Sequence, residues 1–183
     1  MKIILTLLFS VILFTESFSQ IFEHSFNYKP DKDSTEFIYK YKTINCVLRL
    51  PKEWKNSEID WQNNGFRLSD TLEQNLSISL VLKNEWKFNK KNKLSDSSFI
   101  ETFATKNLAW TLKDTSVTVT VIKRTENYII KKVLSNNIEI LLLYGLKKDI
   151  SIRLGTQFTA NPESLDSYIE LLEFSYENIE FKD

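Results

Sequence analysis

The chain has 183 residues, enough for one self-sufficient hydrophobic core and few for two. Its 24 basic and 24 acidic side chains cancel, which argues against a dedicated nucleic-acid binder, since such proteins carry a marked basic excess. Three glycines and one cysteine exclude collagen-like repeats, a glycine-rich phosphate cradle and an intrachain disulfide.

The chain opens on an export signal. Lys2 precedes an apolar stretch over residues 3–14, broken only by Thr6 and Ser10. That length fits the apolar region of a cleavable leader and falls short of the roughly 20 residues a bilayer-spanning helix needs. Ser17 and Ser19 flank Phe18 in a small-x-small pattern, which places the cut after Ser19 or after Gln20. An uncleaved anchor is the alternative. No cysteine stands at the first mature position, so the expected product is secreted or periplasmic and not a lipoprotein, with no transmembrane segment after cleavage. The plan is a signal peptide over 1–19, an N-terminal arm over 20–43 and a single α+β domain over 44–183.

Within the arm, residues 29–34 form a turn, and Phe37, Tyr39 and Tyr41 alternate and give partial order. Residues 44–50 read as a strand closed by Pro51, with Cys46 inside it as a small core hydrophobe. Trp54 and Trp61 flank the polar segment 55–60, where they either line a groove on one side of the sheet or close the end of the core. Asn63-Asn64-Gly65 signals a turn, and residues 76–82 alternate with period two as a half-buried strand.

Residues 86–93, a loop between strand and helix, interleave Trp86 and Phe88 with Lys87, Lys90, Lys91 and Lys93. Such a mix suits an anionic surface: lipid headgroups, an acidic glycan or a negatively charged protein partner. The alternative is a solvated lysine loop with both rings turned inward. A helix follows, for which Ser95, Asp96 and Ser98 compete as N-cap, and Ser98 with Glu101 has the spacing of a capping box. Phe99, Ile100, Phe103, Ala104 and Leu108 fall on its apolar face.

Further on, Val117, Val119 and Val121 alternate with threonines. Strands over 128–134, 138–146 and 150–158 are joined by turns at 135–137 and 147–149 into an antiparallel meander. The run Ile140 to Leu143 marks a central strand covered on both faces. Asn161-Pro162-Glu163 starts a last helix with the stripe Leu165, Tyr168, Ile169 and Leu172, leaving Glu170 and Glu173 on its wet face. Residues 178–181 supply a short closing strand. The fold class is therefore α+β: an antiparallel meander flanked by two main helices.

No catalytic constellation accompanies these elements. The sole histidine, His24, lies in the arm, and the carboxylates are scattered without a calcium-loop spacing. No catalytic residue, metal ligand or cofactor is expected.

The segment Val47-Leu48-Arg49-Leu50-Pro51-Lys52-Glu53-Trp54, with the later meander, helix and final strand Glu177-Asn178-Ile179-Glu180-Phe181, resembles the PsbP-like superfamily over roughly residues 44–183. The glycine that often precedes the family's tryptophan is Glu53 here. The resemblance implies an α/β sandwich and a binding or assembly role, with nothing catalytic. The expectation is an exported, non-enzymatic binding or accessory protein. Its rivals are an immunity-type or inhibitor protein that neutralises a toxin and a carrier of small apolar ligands.

Overall fold

Period-two alternation of apolar and polar residues recurs along the chain, and strands result wherever it does. The structure, a computed structural model, describes residues 24–30, 32–60, 64–70, 74–109, 116–135, 138–158 and 165–182. The leader 1–19, Trp61, Trp110 and the Asn161-Pro162-Glu163 helix start lie outside them. The elements in chain order are β1 (His24–Pro30), β2 (Ser34–Tyr41), β3 (Ile44–Pro51), β4 (Lys55–Asp60), β5 (Gly65–Ser69), β6 (Asn75–Leu82), α1 (Lys87–Asn92), α2 (Asp96–Leu108), β7 (Thr118–Arg124), β8 (Tyr128–Ser135), β9 (Ile138–Lys147), β10 (Ile150–Phe158), α3 (Leu165–Glu177) and β11 (Ile179–Phe181).

The class is mixed α+β with antiparallel sheets and few helices, but the expected single meander sheet is two sheets. A small one has the order β1-β2-β3-β11 and a large one the order β4-β5-β6-β10-β9-β8-β7. The meander β8–β9–β10 forms one half of the large sheet, with Leu143 opposite both Ile130 and Leu154. The small sheet arises from the stretch read as an arm. β2 pairs with β3 along its whole length, from Ser34↔Pro51 to Tyr41↔Ile44, and β11 pairs with the other side of β3 through Ile179↔Leu48. The alternation of Phe37 and Tyr39 is that of a strand facing a core, and both side chains are wholly buried.

Alternate residues of the large sheet enter two cores. Leu76, Ile78, Leu80, Leu141, Leu143 and Leu154 meet Phe37, Tyr39 and Leu48 of the small sheet and Leu172 and Tyr176 of α3. Ile129, Val133 and Tyr144, on the opposite face, meet Phe99, Ile100, Phe103 and Leu108 of α2. The N-cap of α2 is Ser95, whose side chain accepts the Ser98 N–H at 3.4 Å. This corrects the capping box: Ser98 lies inside the helix, and Glu101 pairs with Arg124 at 2.6 Å.

Glu173 is likewise not on a wet face. Its carboxylate accepts the Tyr128 hydroxyl and pairs with Lys123. Burial and that hydrogen bond push the Tyr128 phenol up to about 12. Burial opposes ionisation of Glu173, but the bonds from Lys123 and Tyr128 outweigh it and hold the carboxyl below its ordinary value. The folded carboxyl therefore binds a proton less readily than the unfolded one, whose pKa is about 4.3. Its stabilisation is complete above that pH and disappears as pH falls through the folded value. Glu173→Gln should lower stability at neutral pH and converge with the wild type in acid, read from urea melts along a pH series; a gap that does not change with pH would contradict this.

Candidate functional site: a lysine-rich end

β6 leaves the large sheet through a single tight turn, residues 83–85, and after Trp86 the six residues 87–92 form α1, where the sequence suggested a loop. A helix of this length does not persist alone in water. It is fastened by its aromatic residues. The Trp86 indole N–H donates to Ser151 Oγ at 2.9 Å, and that hydroxyl donates to the Val81 carbonyl at 2.7 Å. The Trp86 ring lies 5.6 Å from Phe88 and 5.0 Å from Phe103, Phe88 lies 5.4 Å from Phe99, and Phe103 meets Tyr144 edge-on at 5.3 Å. Such pairs contribute about 0.5–1.5 kcal/mol each beyond their burial.

Asn89, buried beneath the helix, locks its far end. Its amide donates to the Lys83 carbonyl at 3.3 Å, and its side-chain oxygen accepts the Leu94 N–H at 3.0 Å. The chain between them turns through Lys93 in the left-handed region, φ 43°.

With both rings turned inward, Lys87, Lys90 and Lys91 occupy the outer face at i, i+3 and i+4 spacing, and all are exposed, as is Lys93. Of the eight surface candidates, then, the structure gathers these four lysines over Trp86 and Phe88 as their foundation. Trp54 is not beside them. Its N–H donates to the Pro51 carbonyl at 3.1 Å, which turns the chain back and sends the indole into the core between the sheets, 5% exposed. It lines no groove.

Lysines from three other connections join this end. Lys42, at the β2–β3 turn with φ 51°, pairs with Glu85 at 3.1 Å; Tyr41 and Glu85 hold its ammonium above the ordinary lysine value. Lys148 and Asp149 form the two-residue β9–β10 turn, both with positive φ, and the Asp149 carbonyl accepts the Lys83 N–H at 2.7 Å. Beyond β11, the Lys182 N–H donates to the Asn45 carbonyl at 2.9 Å. Two clefts open between these pieces. One of about 290 Å³ is lined by Lys83, Asn89, Lys93 and Asp149, and one of about 510 Å³ by Lys147, Lys148, Glu180, Phe181 and Lys182.

Sequence reasoning missed Lys42, Lys148 and Lys182. The available signal was the Lys-Thr and Lys-Asp pairs at hairpin tips, legible only once the strand order is known. Among nearby acids, Glu85 and Asp96 are committed to Lys42 and Lys83, Asp96 at 2.6 Å. Because the whole chain is neutral, this cationic end is matched by an acidic excess elsewhere.

Chemistry at the remaining reactive groups is muted. Burial pushes the Cys46 thiol up to about 12, so it is no nucleophile near neutral pH. Among the described residues, no three His, Cys, Asp or Glu side chains gather to hold a metal ion, and no helix is long and apolar enough to cross a membrane.

The element order and the two facing antiparallel sheets define an α+β sandwich with helices packed on its larger sheet. In comparison with solved structures, the chain is similar to cyanobacterial PsbP (CyanoP) from Synechocystis sp. PCC 6803: TM-score 0.53 over 86% of this chain and 93% of that one, at 10% identity. The fold is PsbP-like. A protein from Bacteroides thetaiotaomicron matches over 75% of this chain and 45% of its own, at 11% identity and TM-score 0.41. No protein-family model and no curated protein matches the sequence.

Proposed function

We propose that this chain is an exported, non-enzymatic accessory protein that binds an anionic partner through its lysine-rich end. The observation that carries this is the set of exposed lysines, Lys87, Lys90 and Lys91 on a short helix and Lys93 at its cap, held down by the half-buried rings of Trp86 and Phe88. Local stability is divided over that arrangement, since Lys90 and Lys91 suit the negative end of the α1 dipole. Like charges at i, i+3 and i+4 cost a few tenths of a kcal/mol per pair, and a left-handed lysine costs about 1 kcal/mol. The aromatic anchor offsets both, so Lys93 is kept at a position where the backbone alone would favour glycine.

Export rests on the leader over 1–19, and the absence of catalysis on the muted thiol and the scattered carboxylates. The triple change K90E/K91E/K93E should elute from an immobilised polyanion such as heparin at clearly lower salt than the wild type. Its circular dichroism and melting midpoint should be unchanged, because the three side chains are exposed. Equal retention of the two proteins, or no retention of the wild type, would refute the role.

A further inference from the structure

Building on that anion-binding role, on which the next step rests, we infer that the partner is a bilayer surface carrying anionic lipids, against which the lysine-rich end lies without inserting. The first reason is the kind of cation present. Arg49 and Arg124 are committed to Glu36, Glu180 and Glu101, whereas the exposed cations over α1, Lys87, Lys90, Lys91 and Lys93, are all lysines. Protein hot spots favour Arg, Trp and Tyr, and an ordered phosphate site favours the bidentate guanidinium. Lysines are point charges on flexible stems, and they suit a field of mobile headgroups.

The second reason is the direction of the rings. Trp86 and Phe88 are spent on the core beneath α1, so neither ring serves α1 as a wedge for the acyl region or as an aromatic anchor for a protein pocket. Attachment is electrostatic and reversible by salt. The third is shape. Lys42, Lys93 and Lys148 occupy the tips of three connections, and Lys87, Lys90 and Lys91 line neither cleft. A broad end tipped with charges meets a plane better than it encloses an extended glycan.

The test is co-sedimentation of the protein, in the form its host releases, with vesicles of equimolar phosphatidylglycerol and phosphatidylcholine. Vesicles of phosphatidylcholine alone serve as the comparison. Measurements are made at about 10 mM and about 1 M salt, where charges are screened beyond roughly 30 Å and 3 Å. Binding should require the anionic lipid and be lost at high salt. Each lysine near an anionic surface strengthens binding roughly fivefold, so K87Q/K90Q/K91Q should weaken it on the order of a hundredfold. The paired control K52Q/K106Q, at lysines away from this end, should leave it within about twofold.

Wild-type binding that persists at high salt, or that survives K87Q/K90Q/K91Q, overturns the inference. Retention on heparin without sedimentation on anionic vesicles overturns the membrane partner and leaves the anion-binding role standing. Binding to neither overturns both.

Discussion

Replacing Phe37 with alanine is expected to lower the free energy of unfolding by about 3–5 kcal/mol, the range for emptying a large aromatic site in a core. Phe37 is wholly buried, belongs to the cluster between the two sheets and sits on β2 opposite Leu48. Its neighbour two residues on, Tyr39, lies 5.2 Å from Phe66 of the large sheet, so β2 supplies one wall of that core. Were residues 20–43 a peripheral arm, the same change would cost less than about 0.5 kcal/mol. Urea denaturation followed by tryptophan fluorescence separates these outcomes. A midpoint indistinguishable from the wild type would mean that the small sheet does not belong to the cooperative unit.

A second large loss is expected from Lys147→Met, about 2–3 kcal/mol. The Lys147 ammonium donates to the carbonyls of Tyr176 at 2.6 Å, Glu177 at 3.0 Å and Ile179 at 3.3 Å, and stands 4.7 Å over the Tyr176 ring. It thereby satisfies the end of α3, where carbonyls have no partners within the helix and the dipole is negative. Burial holds the ammonium below the ordinary lysine value, although the acids around it work the other way. Methionine keeps most of the volume and leaves those carbonyls without their donor.

The same knot accounts for Gly145. A Cβ there would strike the Tyr176 ring, whose hydroxyl donates to the carbonyls of Asn127 at 3.1 Å and Leu146 at 2.9 Å. Lys148→Met is the contrast, since Lys148 is exposed and donates from solvent to the Phe181 carbonyl at 3.1 Å, and should cost less than about 1 kcal/mol. Equal losses at the two positions would show that the three-carbonyl cap is not what fastens α3.

What was legible in the sequence was local. The alternation Leu76-Ser77-Ile78-Ser79-Leu80 gave β6, the three β-rich runs gave the meander, and the apolar face of α2 came directly from its spacing. The small sheet was not legible, because nothing near Leu48 announces that Ile179 will pair with it. The polar and aromatic mixture around Phe37 and Tyr39 therefore read as an arm. Residues 55–60 show no strong alternation and become a strand by pairing with β5.

In the candidate site, the lysines of residues 86–93 were visible but the direction of the rings was not. That direction depends on Ser151, Phe103 and Tyr144, far along the chain. Of the three competing caps the structure uses Ser95, and the Ser98–Glu101 capping box does not form because Ser98 lies within the helix and Glu101 turns to Arg124.

The three-residue pairing of β11 with β3 also has a kinetic consequence. It closes a loop between Leu48 and Ile179, so the small sheet must wait for the last element in chain order before its third strand is covered. Folding governed by such distant pairings runs on the scale of milliseconds to seconds. Throughout that wait β3 offers an open edge to any other extended chain, and so short a closing strand is the first to fray afterwards. β11 thus acts as a latch whose closure decides how long a newly made molecule remains open to aggregation.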